Sequence, residues 1–110
     1  MAYDEVLAER VRDFTEGDLN ITEKKMFGGL AFLVDGNMAV AASSQGGLMV
    51  RVDPEESPTL VAKTNAYPMV MRGREMQGWL MVDPADLKTK AQLARWVNRG
   101  LAYARSLNRK

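Results

Sequence analysis

Apolar residues recur at the spacing of an α-helix near both ends of the chain. In residues 3–15 the apolar positions are Tyr3, Leu7, Val11 and Phe14. Between residues 89 and 107 they are Leu93, Trp96, Val97, Gly100, Leu101, Ala104 and Leu107. Intervals of three and four residues place such positions on one side of a helix, so both segments are predicted to be amphipathic helices. We expect the longer, carboxyl-terminal helix to be the main cover of a sheet.

Between these helices, residues 23–27 and 30–34 form one predicted extended region that the pair Gly28-Gly29 interrupts. A phosphate-binding loop would require Gly-Lys-Ser/Thr before a helix, or G-x-G-x-x-G between a strand and a helix. Neither pattern is present, because the glycine pair continues into the apolar run LAFLV. Glycine within a strand pattern usually marks a bend or a close approach of two backbones, and we predict a bend here.

Turn residues predict two β-hairpins. Asp35-Gly36 lies between the apolar runs LAFLV and NMAVA. A tight turn of the favoured hand requires positive φ, which this pair tolerates, so the first hairpin is predicted there. The second hairpin is predicted from residues 68–72 and 78–82, with GREMQ between them, and residues 48–52 form a separate strand.

The order of the elements predicts the fold class. Asp53 and Asp83 each precede a proline and follow a β-rich run, so each is predicted to cap a helix, although Ser57 is an alternative start for the middle one. That short helix is predicted to end near Asn65. The order is therefore helix, about three strands, helix, two strands, helix. It predicts a single α+β domain over residues 1–110, a two-layer sandwich with an antiparallel sheet.

The composition excludes several kinds of chemistry. The chain contains neither cysteine nor histidine. Disulfides, thiolate nucleophiles, Ser-His-Asp triads and zinc or iron sites built from His or Cys are therefore excluded. We predict no cofactor, no metal and no enzymatic activity.

The length of the apolar runs bears on the cellular compartment of the protein. The segment MAYDEVLAER is charged where a secretory signal would have a long apolar run. The longest apolar run, Leu30–Val34, is far shorter than the roughly 20 residues that span a bilayer. We expect a cytoplasmic protein that does not associate with a membrane.

Basic residues are concentrated at the carboxyl end. Residues 84–110 contain seven Lys or Arg and one acid, whereas residues 1–83 contain eight and thirteen. On the last helix the arginines are predicted opposite the apolar stripe, at Arg95, Arg99, Arg105 and Arg109. Such a face could neutralise the phosphates of a nucleic acid. The alternative, which is commoner for charge runs, is a solvated face partly compensated by acids of the first helix.

A second group of candidate site residues lies near predicted strand ends, at Arg51, Arg72, Arg74 and Trp79. It predicts a contact surface, or a small anion site in which guanidinium groups bind a carboxylate or phosphate beside the indole. The alternative is a set of cross-strand ion pairs with Glu75 or Glu23 around a core tryptophan. The eight methionines are either an adaptable contact surface or core residues, and we expect core packing.

Four long segments resemble one family, the TfoX (Sxy) N-terminal domain, over about residues 3–107. They are MFGGLAFLVDGNMAVA, GLMVRVDPEE, GREMQGWLMVDP and LARWVNRGLAYARSL. The resemblance implies an α-β(3)-α-β(2)-α fold like that of the type III secretion chaperones, which agrees with the order derived above. Matching positions, none with a catalytic assignment, are Met26, Phe27, Gly28, Gly29, Gly36, Asn37, Arg51, Arg74, Gly78 and Trp79.

The resemblance also implies a role. Family members of known role are bacterial regulators of competence genes that act with a cyclic-AMP-dependent transcription factor. We therefore expect a non-enzymatic regulatory domain that binds a protein partner, for example in the transcription machinery, and by analogy with the chaperones a homodimer. Those regulators carry a second, helical domain after this one, whereas the resemblance here covers the first alone, so we expect a stand-alone N-terminal domain. The alternative function is a nucleic-acid-binding accessory domain that uses the basic last helix.

Overall fold

The computed structural model describes residues 4–26, 28–44 and 46–107, which form three helices, a short 3-10 turn and six strands. The helices are α1 (Glu5–Thr15), α2 (Ser57–Lys63) and α3 (Lys90–Ser106). The strands are β1 (Ile21–Met26), β2 (Gly29–Val34), β3 (Asn37–Ala42), β4 (Leu48–Arg51), β5 (Tyr67–Met71) and β6 (Arg74–Val82). The 3-10 turn spans Pro84–Asp86. These elements confirm the predicted α+β class.

All six strands belong to one antiparallel sheet, in the order β1-β2-β3-β4-β6-β5. Four strands precede α2, where the predicted order had about three. The extra strand arises at the glycine pair, because Met26 pairs with Gly29 and the chain reverses between them. Gly28 lies in this reversal with a φ of 77°. The predicted bend is therefore confirmed, and it divides the extended region into two paired strands.

The first hairpin forms as predicted. Asp35 and Gly36 have φ values of 50° and 87°, and Val34 pairs with Asn37 on either side of them. Two successive positive φ angles define the tight turn whose twist matches that of the flanking strands.

The second hairpin is tighter than predicted. Arg72 and Gly73 form a two-residue turn with φ values of 54° and 79°, so GREMQ is not the loop and β6 begins at Arg74. The register between β5 and β6 then shifts from Pro68↔Leu80 to Met69↔Met76, which leaves three residues of β6 unpaired with β5. Gly78, with a φ of 85°, lies in this bulge. The pairing register at the tip of this hairpin therefore differs by three residues from the register at its base.

Neither predicted Asp N-cap starts a long helix. The Asp53 carboxylate accepts a hydrogen bond from the N–H of Glu55 at 2.9 Å, which closes a turn, and α2 begins at the alternative start, Ser57. Asp83 precedes only the 3-10 turn. The cap of α3 is Thr89, whose hydroxyl accepts from the N–H of Gln92 while the Gln92 side chain accepts from the N–H of Thr89.

The main core lies between the sheet and the helices. Its bulkiest fully buried side chains include Phe32, Leu48, Leu80, Leu87 and Leu93. As predicted, α3 is the principal cover: it packs across β2, β3 and β4, while α1 lies against β3 and α2 against β5 and β6. All three helices contribute to this one cluster, so they share one face of the sheet.

Helix α3 comes closest to the sheet at a bulge in β3. Phe32 pairs with Val40 and Leu33 with Met38, so Ala39 has no partner in β2. A Cβ atom on Gly100 would lie 2.6 Å from the carbonyl oxygen of Ala39. Gly100 is therefore the point at which the helix and the sheet backbone are in contact.

An ion pair attaches α1 to the edge of the sheet. The Arg12 guanidinium donates to both carboxylate oxygens of Glu23, at 2.8 and 2.9 Å, and it also contacts Glu9. Hydrogen bonding from Arg12 lowers the pKa of Glu23 below its ordinary value. A lowered folded-state pKa stabilises the fold above the ordinary carboxyl pKa of 4.5, and this contribution is lost as the pH falls through the folded-state value.

We predict that Glu23→Gln lowers the free energy of unfolding by about 1 kcal/mol at neutral pH, the upper end for a pair this exposed to solvent. The difference from the wild type should shrink as the pH falls below 4.5, because protonation of Glu23 then removes the ion pair from the wild type as well. Urea unfolding between pH 7 and 3 measures it. Glu75→Gln is the control, because Glu75 is exposed and forms no ion pair within the described residues. Equal pH dependence of the two variants would contradict the prediction.

Candidate docking surface

The face of the sheet opposite the helices carries a second apolar cluster. Its buried members are Ala31, Met38, Ala41, Met49 and Met81, and its half-buried members are Met26, Leu33, Met69 and Trp79. Cross-strand pairs such as Met49↔Met81 point to the same side of a sheet, and none of these nine residues belongs to a helix. We call this surface the methionine face.

A groove runs over the methionine face, and both edge strands line it. Its walls include Met26 of β1 and Met69 of β5, and its floor includes Met49 and Met81. In a flat sheet β1 and β5 would be five strand spacings, about 24 Å, apart. Their contribution to one groove of about 380 Å³ indicates that the sheet is concave on this side. We call this depression the methionine groove.

The described residues form two apolar clusters, and only the cluster on this side of the sheet contains methionine. The main core contains none, whereas five of the nine residues of the methionine face are methionine. Met38, Met49 and Met81 are buried and Met26 and Met69 are half-buried, so these five pack in the second cluster and not in the main core. An unbranched thioether side chain can change conformation at little cost, so such a surface can adapt to the shape of a partner.

The rim of the methionine groove is fixed by a hydrogen bond between β5 and the end of β6. The Tyr67 hydroxyl donates to the Asp83 carboxylate at 2.8 Å. This bond to an anion raises the pKa of Tyr67 above its ordinary value, because ionisation would remove the proton that is donated. Tyr67 is 43% exposed and the neighbouring Val70 is 61% exposed, so apolar side chains reach solvent along this edge.

Arg51 lies at the end of the methionine face between two aromatic rings. It is the last residue of β4 and pairs with Trp79 of β6. Its guanidinium carbon is 5.2 Å from the centroid of the Trp79 ring and 5.7 Å from that of Tyr103 on α3. No ion pair or hydrogen bond joins its side chain to another described residue. The cross-strand ion pair that was the alternative interpretation is therefore not formed by Arg51.

The other two arginines of the predicted contact surface lie elsewhere. Arg72 occupies the turn between β5 and β6, and Arg74 begins β6; both are exposed. Arg74 and Trp79 are five positions apart along β6, which is about 17 Å of extended chain. The structure thus places Arg51, and neither Arg72 nor Arg74, against the tryptophan. An anion site that combines all three arginines stays a prediction.

Two arginines of α3 are paired with acids. Arg99 lies 3.9 Å from the Glu56 carboxylate, and Arg105 donates to Asp18 at 2.9 Å. These acids belong to the start of α2 and to the loop after α1, not to α1 itself, and they lie on opposite flanks of α3. Arg95 is exposed without an ion pair to any described residue, and Arg109 lies outside the described residues. Nucleic-acid contact through these arginines stays a prediction.

Over residues 4–26, 28–44 and 46–107, no three His, Cys, Asp or Glu side chains are grouped so that they could hold a metal ion. In the same ranges, no helix has the length and apolar character needed to cross a bilayer.

The structure defines a class of protein: an α+β domain with three helices on one face of a single antiparallel sheet and an uncovered apolar groove on the other. A family model, the TfoX N-terminal domain, matches residues 15–104. The chain belongs to the TfoX N-terminal domain family, as its sequence motifs indicated. A search of curated proteins found no significant match.

The sequence motifs missed two features of this surface. Tyr103 was not among the candidate residues, because it lies on α3, far along the chain from Arg51. The shared face of the methionines was also missed. An alternation in the strands could have shown it, since Met49 and Arg51 are two residues apart, as are Trp79 and Met81.

Proposed function

We propose that this protein is a non-enzymatic regulatory domain of the bacterial cytoplasm, similar to the N-terminal domain of competence regulators, and that it docks a protein partner on its methionine face. The observation that carries the proposal is the methionine groove, an apolar depression on the sheet face that no described helix covers. An uncovered apolar surface of this kind commonly marks a protein interaction site.

The chemistry of the groove also favours binding over catalysis. Its described lining is mainly methionine, alanine, glycine and serine, and it offers no pair of carboxylates to act as acid and base. Adaptable thioether side chains suit a regulator that recognises a partner by shape and apolar contact. Membership of the TfoX N-terminal domain family supports a regulatory role.

A photo-crosslinking experiment tests the proposal. Met69 packs in the methionine cluster and lines the groove, whereas Val6 lies on α1, on the other side of the sheet, and is 71% exposed. A photoreactive amino acid is placed at one position or the other, and the protein is irradiated in cells. We expect one discrete protein adduct from position 69 and none from position 6.

The composition of the adduct distinguishes the partners. A second copy of this chain would give twice the mass of the protein and would support the predicted homodimer. Nucleic acid in the adduct would support the alternative function. The absence of any adduct at position 69, or equal adducts at both positions, would contradict docking on the methionine face.

A further inference from the structure

We infer that the methionine face accepts an acidic amphipathic helix of a partner protein, which places apolar side chains in the methionine groove and a carboxylate on Arg51. This inference rests on the proposed docking function and specifies the chemistry of the partner.

The first argument is the charge of the methionine face. Side chains on paired strands alternate between faces, so Lys24, which pairs with Ala31, lies on the methionine face. Arg74 lies on the same side as Met76, the partner of Met69. Arg51 adds a third cation at the end of this face, where its guanidinium reaches both Trp79 of the face and Tyr103 of α3.

The strand acids lie on the opposite face. Glu23, next to Lys24, reaches Arg12 on α1, and Glu75, next to Arg74, pairs with Val70. None of the three cations of the methionine face forms an ion pair with a described residue. The charge of the face is therefore complementary to an acidic partner.

The second argument is the arrangement of Arg51. Stacking against Trp79 and Tyr103 holds the planar guanidinium and leaves its N–H groups without an acceptor among the described residues. A guanidinium fixed in this way loses little entropy when a carboxylate binds it through two parallel hydrogen bonds. Arg51 lies two residues, about 7 Å, beyond Met49 along β4. One ligand can therefore contact the floor of the groove and Arg51 together.

The third argument concerns the shape of the partner segment. An added β-strand would have to pair with an edge of the sheet, and both edges oppose this. Edge strand β1 carries Glu23, Lys24 and Lys25 in succession, and edge strand β5 contains Pro68, which has no N–H to donate. A helix about 10 Å across lies in a concave face and needs no edge. We therefore infer that the partner segment binds as a helix.

Two synthetic helical peptides of equal length test the inference. Both carry leucine at positions i, i+3, i+4 and i+7 of each repeat on an alanine background, with spaced Glu residues on the polar face of one peptide and Lys residues at the same positions of the other. Each is titrated at low salt into the full chain labelled with ¹³C at the methionine methyl groups. We expect the Glu peptide to shift the signals of Met49, Met69 and Met81, and the Lys peptide to leave them unchanged.

Substitutions then locate the carboxylate. Arg51→Gln should weaken binding of the Glu peptide by about tenfold, the usual effect of losing charged hydrogen bonds. Arg51→Lys should restore little of this affinity, because an ammonium group lacks the planar fork and the stacking. Arg95→Gln is the matched control: it removes the same charge from an exposed arginine on the helical side, and affinity should be unchanged. If Arg51→Gln does not fold, the exposed pair Lys24→Glu and Arg74→Glu should give the same loss.

Each result has a definite meaning. Equal binding of the two peptides, or equal loss from Arg51→Gln and Arg95→Gln, would overturn the inference. Failure of the Glu peptide to bind at millimolar concentration would overturn it as well. In either case the crosslink from position 69 still decides the proposed function, because it does not depend on the charge of the partner.

Discussion

Replacing Gly29 with alanine is expected to lower the free energy of unfolding by about 3 kcal/mol, at the upper end for overpacking. A Cβ atom at this position would lie 2.3 Å from the carbonyl oxygen of Ala42 on the neighbouring strand. The position of a Cβ atom is fixed by the backbone and the oxygen belongs to the backbone, so the clash cannot be relieved by rotating a side chain. Chemical denaturation of the purified variant measures the loss.

Gly73→Ala is the control for Gly29→Ala. Gly73 has a φ of 79°, but a Cβ atom there would meet nothing within 4 Å. Gly73→Ala should therefore lower the free energy of unfolding only by the penalty for alanine in a left-handed backbone conformation, roughly 1–2 kcal/mol. Gly29, which has no such angle, should be the more sensitive of the two. The opposite order would show that backbone angle, and not strand approach, explains why Gly29 is glycine.

Gly100→Ala is expected to lower the free energy of unfolding by about 2 kcal/mol, although alanine is the better helix former. The added Cβ atom would lie 2.6 Å from the Ala39 carbonyl oxygen and 2.7 Å from Cγ1 of Val40. Helix propensity alone would raise stability by about 1 kcal/mol, so the sign of the change separates the two effects.

Ala102→Gly is the control that measures the effect of helix propensity alone, at an exposed position of the same helix. Ala102 is exposed, two residues from Gly100, and its replacement should cost about 1 kcal/mol. We expect both variants to be less stable than the wild type, as measured by thermal and urea unfolding. A Gly100→Ala protein more stable than the wild type would contradict the contact between α3 and the bulge at Ala39.

Several elements of the fold could be predicted because their causes are local. Asp35-Gly36 makes its turn through backbone angles that those two residues tolerate. Helix α3 is specified by its apolar period and by the capping box of Thr89 and Gln92. Each of these signals involves residues close together in the chain, so no knowledge of the fold is needed to interpret them.

Two predictions were wrong because local signals in the sequence compete with one another. Asp53 was predicted as a helix cap, but its carboxylate closes a turn with the N–H of Glu55 and α2 starts later. GREMQ was predicted to lie between the two strands of the second hairpin, yet Arg72 and Gly73 alone form the turn. In both places the sequence is compatible with two local structures. The packing of α2 decides where that helix begins, and the pairing of β5 with β6 decides where the hairpin turns.

The candidate surface depends on residues that are distant in the chain. Arg51 and Trp79 are paired because β6 lies beside β4, with α2 and β5 between them in sequence. Tyr103 completes the stack only because α3 crosses the sheet near the end of β4. The ion pairs of Arg99 and Arg105 likewise join α3 to acids in other elements.

The sequence by itself determined the α+β class, the two amphipathic helices, the first hairpin, the bend at the glycine pair and membership of the TfoX N-terminal domain family. Only the tertiary structure decided which strands are neighbours, and with them the concave methionine face and the stacked position of Arg51. The physical reason is the range of the forces. Turns, caps and helical periodicity act within a few residues, whereas strand order and the curvature of a sheet follow from packing the whole chain around one core.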